Sequence, residues 1–171
     1  MALDKVVSAS LDDMVGKCFE INRMLDRAVS ILAVKFNMPR TSDLVHHHLA
    51  HPIIGTDYGD SIGDYKTKMN ELTVYKATPV GDTDYTSPLE IFVRYQKMIF
   101  DLRNTAYDAF EDAQEAKDHE TRVFVDGFIS RLDVLVDQAQ TLVDMFTDYG
   151  SDPFHLQLLD SNIEKYITVK E

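Results

Sequence analysis

Apolar residues in this chain keep a helical rhythm from end to end, and that rhythm excludes most folds. Leu11, Cys18, Leu25 and Leu32 stand seven residues apart, interleaved with Val15, Val29 and Phe36. Residues three, four and seven apart share one face of a helix, so this spacing predicts an amphipathic first helix over 9–37, closing before Pro39. A second helix is expected over 42–72, opened by the capping residues Thr41, Ser42 and Asp43. Its inward stripe reads Leu44, His48, His51, Tyr58, Ile62, Tyr65, Met69 and Leu72. The pattern then breaks in TVYKATPVGDTDYTS, a crossover over 73–87 with Pro79 and Gly81. Pro88 after Ser87 starts a third helix over 88–117, carried by Leu89, Phe92, Ile99, Ala106 and Phe110. A fourth, over 119–149, follows Phe124, Phe128, Leu135, Leu142 and Phe146, and a short fifth follows Pro153 over 153–167.

Short links join antiparallel neighbours, whereas a link of about fifteen residues spans the bundle once. No segment alternates with the period of a strand. The expected architecture is all-α: a four-helix bundle with one long crossover and a short C-terminal fifth helix. At 171 residues and 44% hydrophobic, the chain suits one domain over 1–171.

A net charge of −12 argues against direct DNA binding, which depends on Lys and Arg neutralising phosphates. No apolar run is long enough to span a bilayer. The opening MALDKVVSASLDDM lacks the basic-then-apolar order of a signal peptide. A single cysteine, Cys18, fits a reducing compartment and reads as core filler. Together these features predict a soluble cytoplasmic protein. There is no GxSxG, no HExxH and no phosphate-cradling glycine loop.

Chemistry concentrates in SDLVHHHLAHPIIGTDYGDSIGDY, residues 42–65, which holds four of the six histidines. On a continuous helix, His46, Asp57, Asp60 and Asp64 share a side, and imidazole with carboxylate is a ligand set for a first-row transition metal. His46 and His47 face this acidic stripe and are the nitrogen candidates. His48 and His51 project inward on the same phasing and read as core histidines bonded to groups such as Asn22 or Gln96. The plainer alternative for the three aspartates is a solvated helix face. Pro52 should kink this helix or shift its start. Gly55, Gly59 and Gly63 form a ridge of small residues that together cost roughly 3 kcal/mol against alanine. Close approach of another helix, such as the same helix of a twofold partner, would offset that cost; an irregular second helix is the other reading.

The segment from Thr73 to Phe128 resembles ferritins over about a third of the chain. The matching landmarks are Pro79 in the crossover, the Pro88-Leu89-Glu90-Ile91-Phe92 start, the Lys117-Asp118-His119-Glu120-Thr121 turn and the run Phe124-Val125-Asp126-Gly127-Phe128. The resemblance implies the ferritin-like superfamily, which includes bacterial ferritins and the Dps miniferritins that oxidise and store iron in hollow shells. It further implies a homo-oligomer, at least a dimer, with twelve- or twenty-four-subunit shells as the larger assemblies.

Ferritins hold two irons inside each bundle with carboxylates and a Glu-x-x-His. Carried across without gaps, those positions fall near Met24, with Glu20 one turn away, and on Gly55, Tyr58, Lys97, Arg131 and Val134. Cations and apolar groups cannot ligate a metal, and no Glu-x-x-His exists in the chain, so a degenerate intra-bundle centre is expected. Lys97 and Arg131 could instead bridge carboxylates there, or extend outward. Dps proteins place iron between two subunits. That acidic pair falls on Asp60 and Asp64 and the upstream histidine within a residue of His46, while a first-helix histidine falls near Ile31 and is missing. The expected function is therefore iron or other divalent-metal binding at a dimer interface through His46, His47, Asp57, Asp60 and Asp64, with Fe(II) oxidation and sequestration as its active form. The alternative is a non-enzymatic homo-oligomeric bundle that has lost its metal.

Overall fold

The computed structural model describes residues 2–79 and 84–167; the middle of the expected crossover, with Gly81, lies outside them. Asp4 accepts a hydrogen bond from the Val6 N–H and starts α1 (Lys5–Ser30), several residues before the expected position. Leu3 and Val7 extend the apolar stripe backward, which explains the earlier start. A π-turn over Ile31–Lys35 continues it, and Asn37, at a φ of 52°, ends it. Positive φ also follows the later helices, at Asn70, Lys117 and Gly150. Short polar residues and glycine tolerate that conformation best, and it stops a helix cleanly.

The second helix is not continuous over 42–72, as the spacing predicted, but comes in pieces. It opens earlier, as α2 (Pro39–Val45), widens into a π-turn over His46–Ala50, and resumes as α3 (His51–Ile54). A corner at 55–58 separates it from α4 (Gly59–Lys68). After the crossover come α5 (Pro88–Glu115), α6 (His119–Tyr149) and α7 (Pro153–Tyr166). Ser87 accepts from the Glu90 N–H at the start of α5, while the Glu90 carboxylate reaches back to Thr86, a reciprocal cap. Asp118 and Asp152 cap α6 and α7 by accepting from the Thr121 N–H and from the Phe154 and His155 N–H groups. No strand occurs among the described residues, and no described helix is long and apolar enough to cross a membrane.

The helices pack α1 on α5, α5 on α6, and the pieces of helix two along α1. Leu11, Cys18, Leu25, Leu32, Phe92, Ile99, Phe128, Leu142 and Phe146 are wholly buried between them, in agreement with the stripes. Burying one such Leu or Phe side chain contributes about 1.5–3 kcal/mol. α7 lies against α2 and α6. Its buried Asp160 accepts from the Thr41 N–H and Thr41 hydroxyl, both at 2.7 Å, and so caps α2, which has no side-chain cap of its own.

Candidate metal centre

Mid-bundle, the four helices contribute a thiol, two phenols and a phenyl ring. Tyr58 meets the Phe128 ring edge-on at 5.9 Å, Tyr95 is wholly buried beside it, and Cys18 faces the same region from α1. Burial pushes the Tyr58 phenol up to about 12, with the Asp57 charge adding to the shift; burial also drives the Cys18 thiol and Tyr95 phenol upward. Burial favours the neutral form of all three groups. This donor set, with neither carboxylate nor imidazole, does not fit an iron centre.

Of the two readings of Lys97 and Arg131, a bridge between carboxylates does not hold. Lys97 is exposed, and so is Val134. Arg131 donates from Nε to the Asp57 carbonyl at 2.8 Å and lies over the Phe128 ring, while Tyr58 donates to the Arg131 carbonyl at 2.9 Å. These bonds fasten the 55–58 corner to α6; they bridge no carboxylate. The buried ion pair lies elsewhere. Lys66, fully buried on α4, donates from Nζ to Asp12 of α1 at 2.6 Å. Asp12 also accepts from the Val74 N–H at 3.0 Å, which ties the start of the crossover to the same spot.

Imidazoles converge on the outside of the second helix. His46, His47 and His51 each offer a ligand atom, and these atoms lie within 4.8 Å of one another. The rings touch edge to face, with centroids 4.7 Å apart for His46–His47 and 4.3 Å for His46–His51. Among the described residues this is the one group of three or more His, Cys, Asp or Glu side chains within such reach.

The backbone explains the convergence. On an α-helix, residues five apart sit about 140° apart, so His46 and His51 would diverge. The π-turn bonds the His51 N–H to the His46 carbonyl, one residue further back than an α-helix does. That wider turn sets both His46 and His47 one turn before His51. Pro52 stands where the next α-type bond, to the His48 carbonyl, would need an N–H that proline lacks. Asn22 of α1 donates to the Ala50 carbonyl at 2.8 Å and anchors the turn on the bundle.

The structure therefore brings together His46 and His47 of the expected set and adds His51. The inward reading of His48 and His51 does not hold: both are exposed, because the π-turn rotates them off the core face, and Leu49 and Ala50 are buried instead. Asn22 bonds the Ala50 backbone and Gln96 bonds Gln140, so neither serves a histidine. Asp57 sits in the corner, while Asp60 and Asp64 are exposed on α4. None of the three joins the imidazole group within this chain. The shared helical face dissolves because Gly55 leaves the helix with extended backbone at ψ −166°. A Cβ on Gly59 would meet the Ile54 Cα at 3.0 Å, so that glycine allows the chain to fold close on itself. At Gly55 and Gly59 the expected ridge is an internal corner. α-Helical phasing places His51 on the core face; the signal in the sequence that this phase changes is Pro52.

No family model and no curated protein matches the sequence. In three dimensions the chain has the ferritin-like fold, a four-helix bundle with a short C-terminal helix. Similar solved structures are archaeal ferritins. An open-pore ferritin from the hyperthermophile Archaeoglobus fulgidus aligns with a TM-score of 0.85 at 14% identity, covering 95% of this chain and 98% of its own. A closed form of that ferritin made by site-directed mutagenesis gives 0.86 at 14%, covering 95% and 96%. A humanized archaeal ferritin gives 0.85 at 14%, again covering 95% and 96%.

Proposed function

We propose that this protein is a ferritin-fold, homo-oligomeric binder of divalent transition metal ions that takes them up on the surface of its second helix and not inside the bundle. The convergence of His46, His47 and His51 carries the reading: three nitrogen donors within 4.8 Å need only side-chain rotation to close on one ion. The ferritin fold makes iron the first cargo to test. Asp60 and Asp64, exposed and four apart on α4, would meet His46 or His47 of another copy in the Dps-like form of this reading, with Asp57 steering cations. Fe(II) oxidation at that shared site would be its ferroxidase form. The aromatic mid-bundle layer supports a second reading, a scaffold that holds no metal.

The test compares metal content and Fe(II) oxidation rate of tag-free protein with those of His46→Ala/His47→Ala and Asp60→Ala/Asp64→Ala. Stoichiometric metal lost in the histidine variant supports surface capture. Oxidation lost in the aspartate variant supports the shared site. Negligible metal throughout leaves the scaffold.

A further inference from the structure

We infer that the His46-His47-His51 group is a site for the late, borderline divalent ions, with zinc and nickel as type cases, in preference to Fe(II), and that Pro52 is the residue that assembles it. This rests on the reading of the group as a metal site and specifies which metal it takes.

Three features of the site carry the inference. All three donors are imidazole nitrogens, and no carboxylate joins them among the described residues. Affinity of nitrogen sites for divalent metals rises from Fe(II) through cobalt to nickel and copper, with zinc also above Fe(II), whereas carboxylate oxygens are what suit the harder ions. Distances fit as well. Tetrahedral zinc with bonds of about 2.0–2.1 Å sets its nitrogens about 3.3 Å apart. Ligand atoms already within 4.8 Å of one another have at most about 1.5 Å to close to reach that spacing. His47 and His51 are exposed, so nothing holds them apart and solvent keeps at least one coordination position. Three protein nitrogens with an open position make an exchangeable site, unlike the closed four-ligand sites that hold structural zinc.

Pro52 is a positioning residue. Its missing N–H leaves the His48 carbonyl without its α-type donor, and the helix widens by one residue at that point. Alanine at position 52 restores the donor and lets the segment relax to α, which turns His46 about 140° away from His51. Removing an interior proline should leave the fold at least as stable, so a weakened metal site would not be a symptom of unfolding.

The experiment uses the full, tag-free chain. Zinc, nickel and anaerobic Fe(II) are titrated by calorimetry, with Co(II) as an optical probe of coordination. Expected are one ion per chain, zinc and nickel at least about tenfold tighter than Fe(II), and an intense tetrahedral Co(II) spectrum. His51→Ala should abolish that spectrum. Pro52→Ala should weaken binding about 10–100-fold, as groups that orient ligands do, with an undiminished unfolding midpoint. His48→Ala should bind as the wild type does. Fe(II) bound as tightly as zinc, but lost in His51→Ala, overturns the choice of metal and leaves the site standing. Wild-type binding in Pro52→Ala overturns the role of the proline. Binding of no metal at all overturns this inference and the proposed function together.

Discussion

α5 and α6 run unbroken for 28 and 31 residues, whereas the second helix is cut by a π-turn at His46–Ala50 and a corner at 55–58. The two regions are also held differently. α5 and α6 meet through apolar side chains such as the stacked Phe92 and Phe146, 4.5 Å apart. Helix two is fastened by polar bonds: Lys66 to Asp12, the Tyr65 hydroxyl to Thr121 at 2.9 Å, the Tyr58 hydroxyl to the Arg131 carbonyl, and the Ala50 carbonyl to Asn22. Where local preference and global packing agree, regular helices result. Where proline and glycine interrupt the pattern, the chain presents its clustered imidazoles to solvent. Departures from local consistency are where functional sites are expected.

The sharpest way to break the comparison is to remove one fastening from each region. Lys66→Met leaves Asp12 buried with only the Val74 N–H, and breaking such a pair costs about 3–5 kcal/mol. Phe146→Ala opens a cavity against Phe92, also at about 3–5 kcal/mol. Urea denaturation should show both losses. They differ in rescue: Lys66→Met/Asp12→Leu should recover most of the stability, because two matched apolar groups replace a desolvated pair. No second substitution at Phe92 should repair Phe146→Ala. A double variant as unstable as Lys66→Met alone would show that Asp12 matters for holding the crossover through Val74, and not chiefly for Lys66.

The contrast also marks what could be read in the sequence. The stripes of helices three and four locate α5 and α6 closely, because nothing interrupts their period and Ser87, Pro88 and Asp118 cap them locally. The ferritin-like fold was legible from those helices and the crossover. Helix two was not. Its start is capped by Asp160, 119 residues away from Thr41, and no local signal announces that. Its phase changes at Pro52 by one residue, enough to move His51 from the core face to the exposed side where His46 and His47 lie. The Lys66–Asp12 pair is invisible to periodicity, since a lysine on a helix is normally assigned to solvent. His46 and His47 stand out by their helical spacing to the aspartates and by the Dps-like register; that His51 closes up with them needed the backbone.

The 55–58 corner gives the next largest effect. Gly59→Ala drives a Cβ to within 3.0 Å of the Ile54 Cα and 3.3 Å of the Ile53 carbonyl oxygen, and both are backbone atoms that cannot swing aside. Overpacking of this kind costs about 1–3 kcal/mol. Thermal or urea unfolding would reveal it, and an unchanged midpoint would mean that the corner opens freely.

Alkaline titration probes the mid-bundle layer. Cys18, Tyr58 and Tyr95 are held neutral by burial, with folded-state values raised above those of the unfolded chain. An acid that stays protonated when folded and ionises when unfolded contributes stability in full below its unfolded value and loses it as pH rises toward the folded one. Unfolded values are about 8.5 for a thiol and 10 for a phenol. Stability should therefore stay level to about pH 8 and fall above it, by at most about 1.4 kcal/mol per pH unit for each group. Cys18→Val should move the onset toward pH 10. An onset that ignores this substitution would place the alkaline weakness outside the layer.

Gly63 gives the smallest effect and asks the most of the comparison. A Cβ there would meet only the Thr73 hydroxyl at 3.7 Å and the Tyr75 hydroxyl at 3.8 Å, both ordinary contacts. Within one chain, then, nothing requires glycine, and Gly63→Ala should stabilise α4 by about 0.5–1 kcal/mol through helix propensity and a less flexible unfolded chain. A requirement could still come from a second copy lying against α4, where Asp60 and Asp64 are exposed. Sedimentation of Gly63→Ala beside the wild type separates the two cases. A more stable chain in an unchanged assembly frees this face from the contact between copies. A more stable chain in a weakened assembly puts α4, and with it the acidic pair, at that contact, which is where a metal shared between subunits would have to lie.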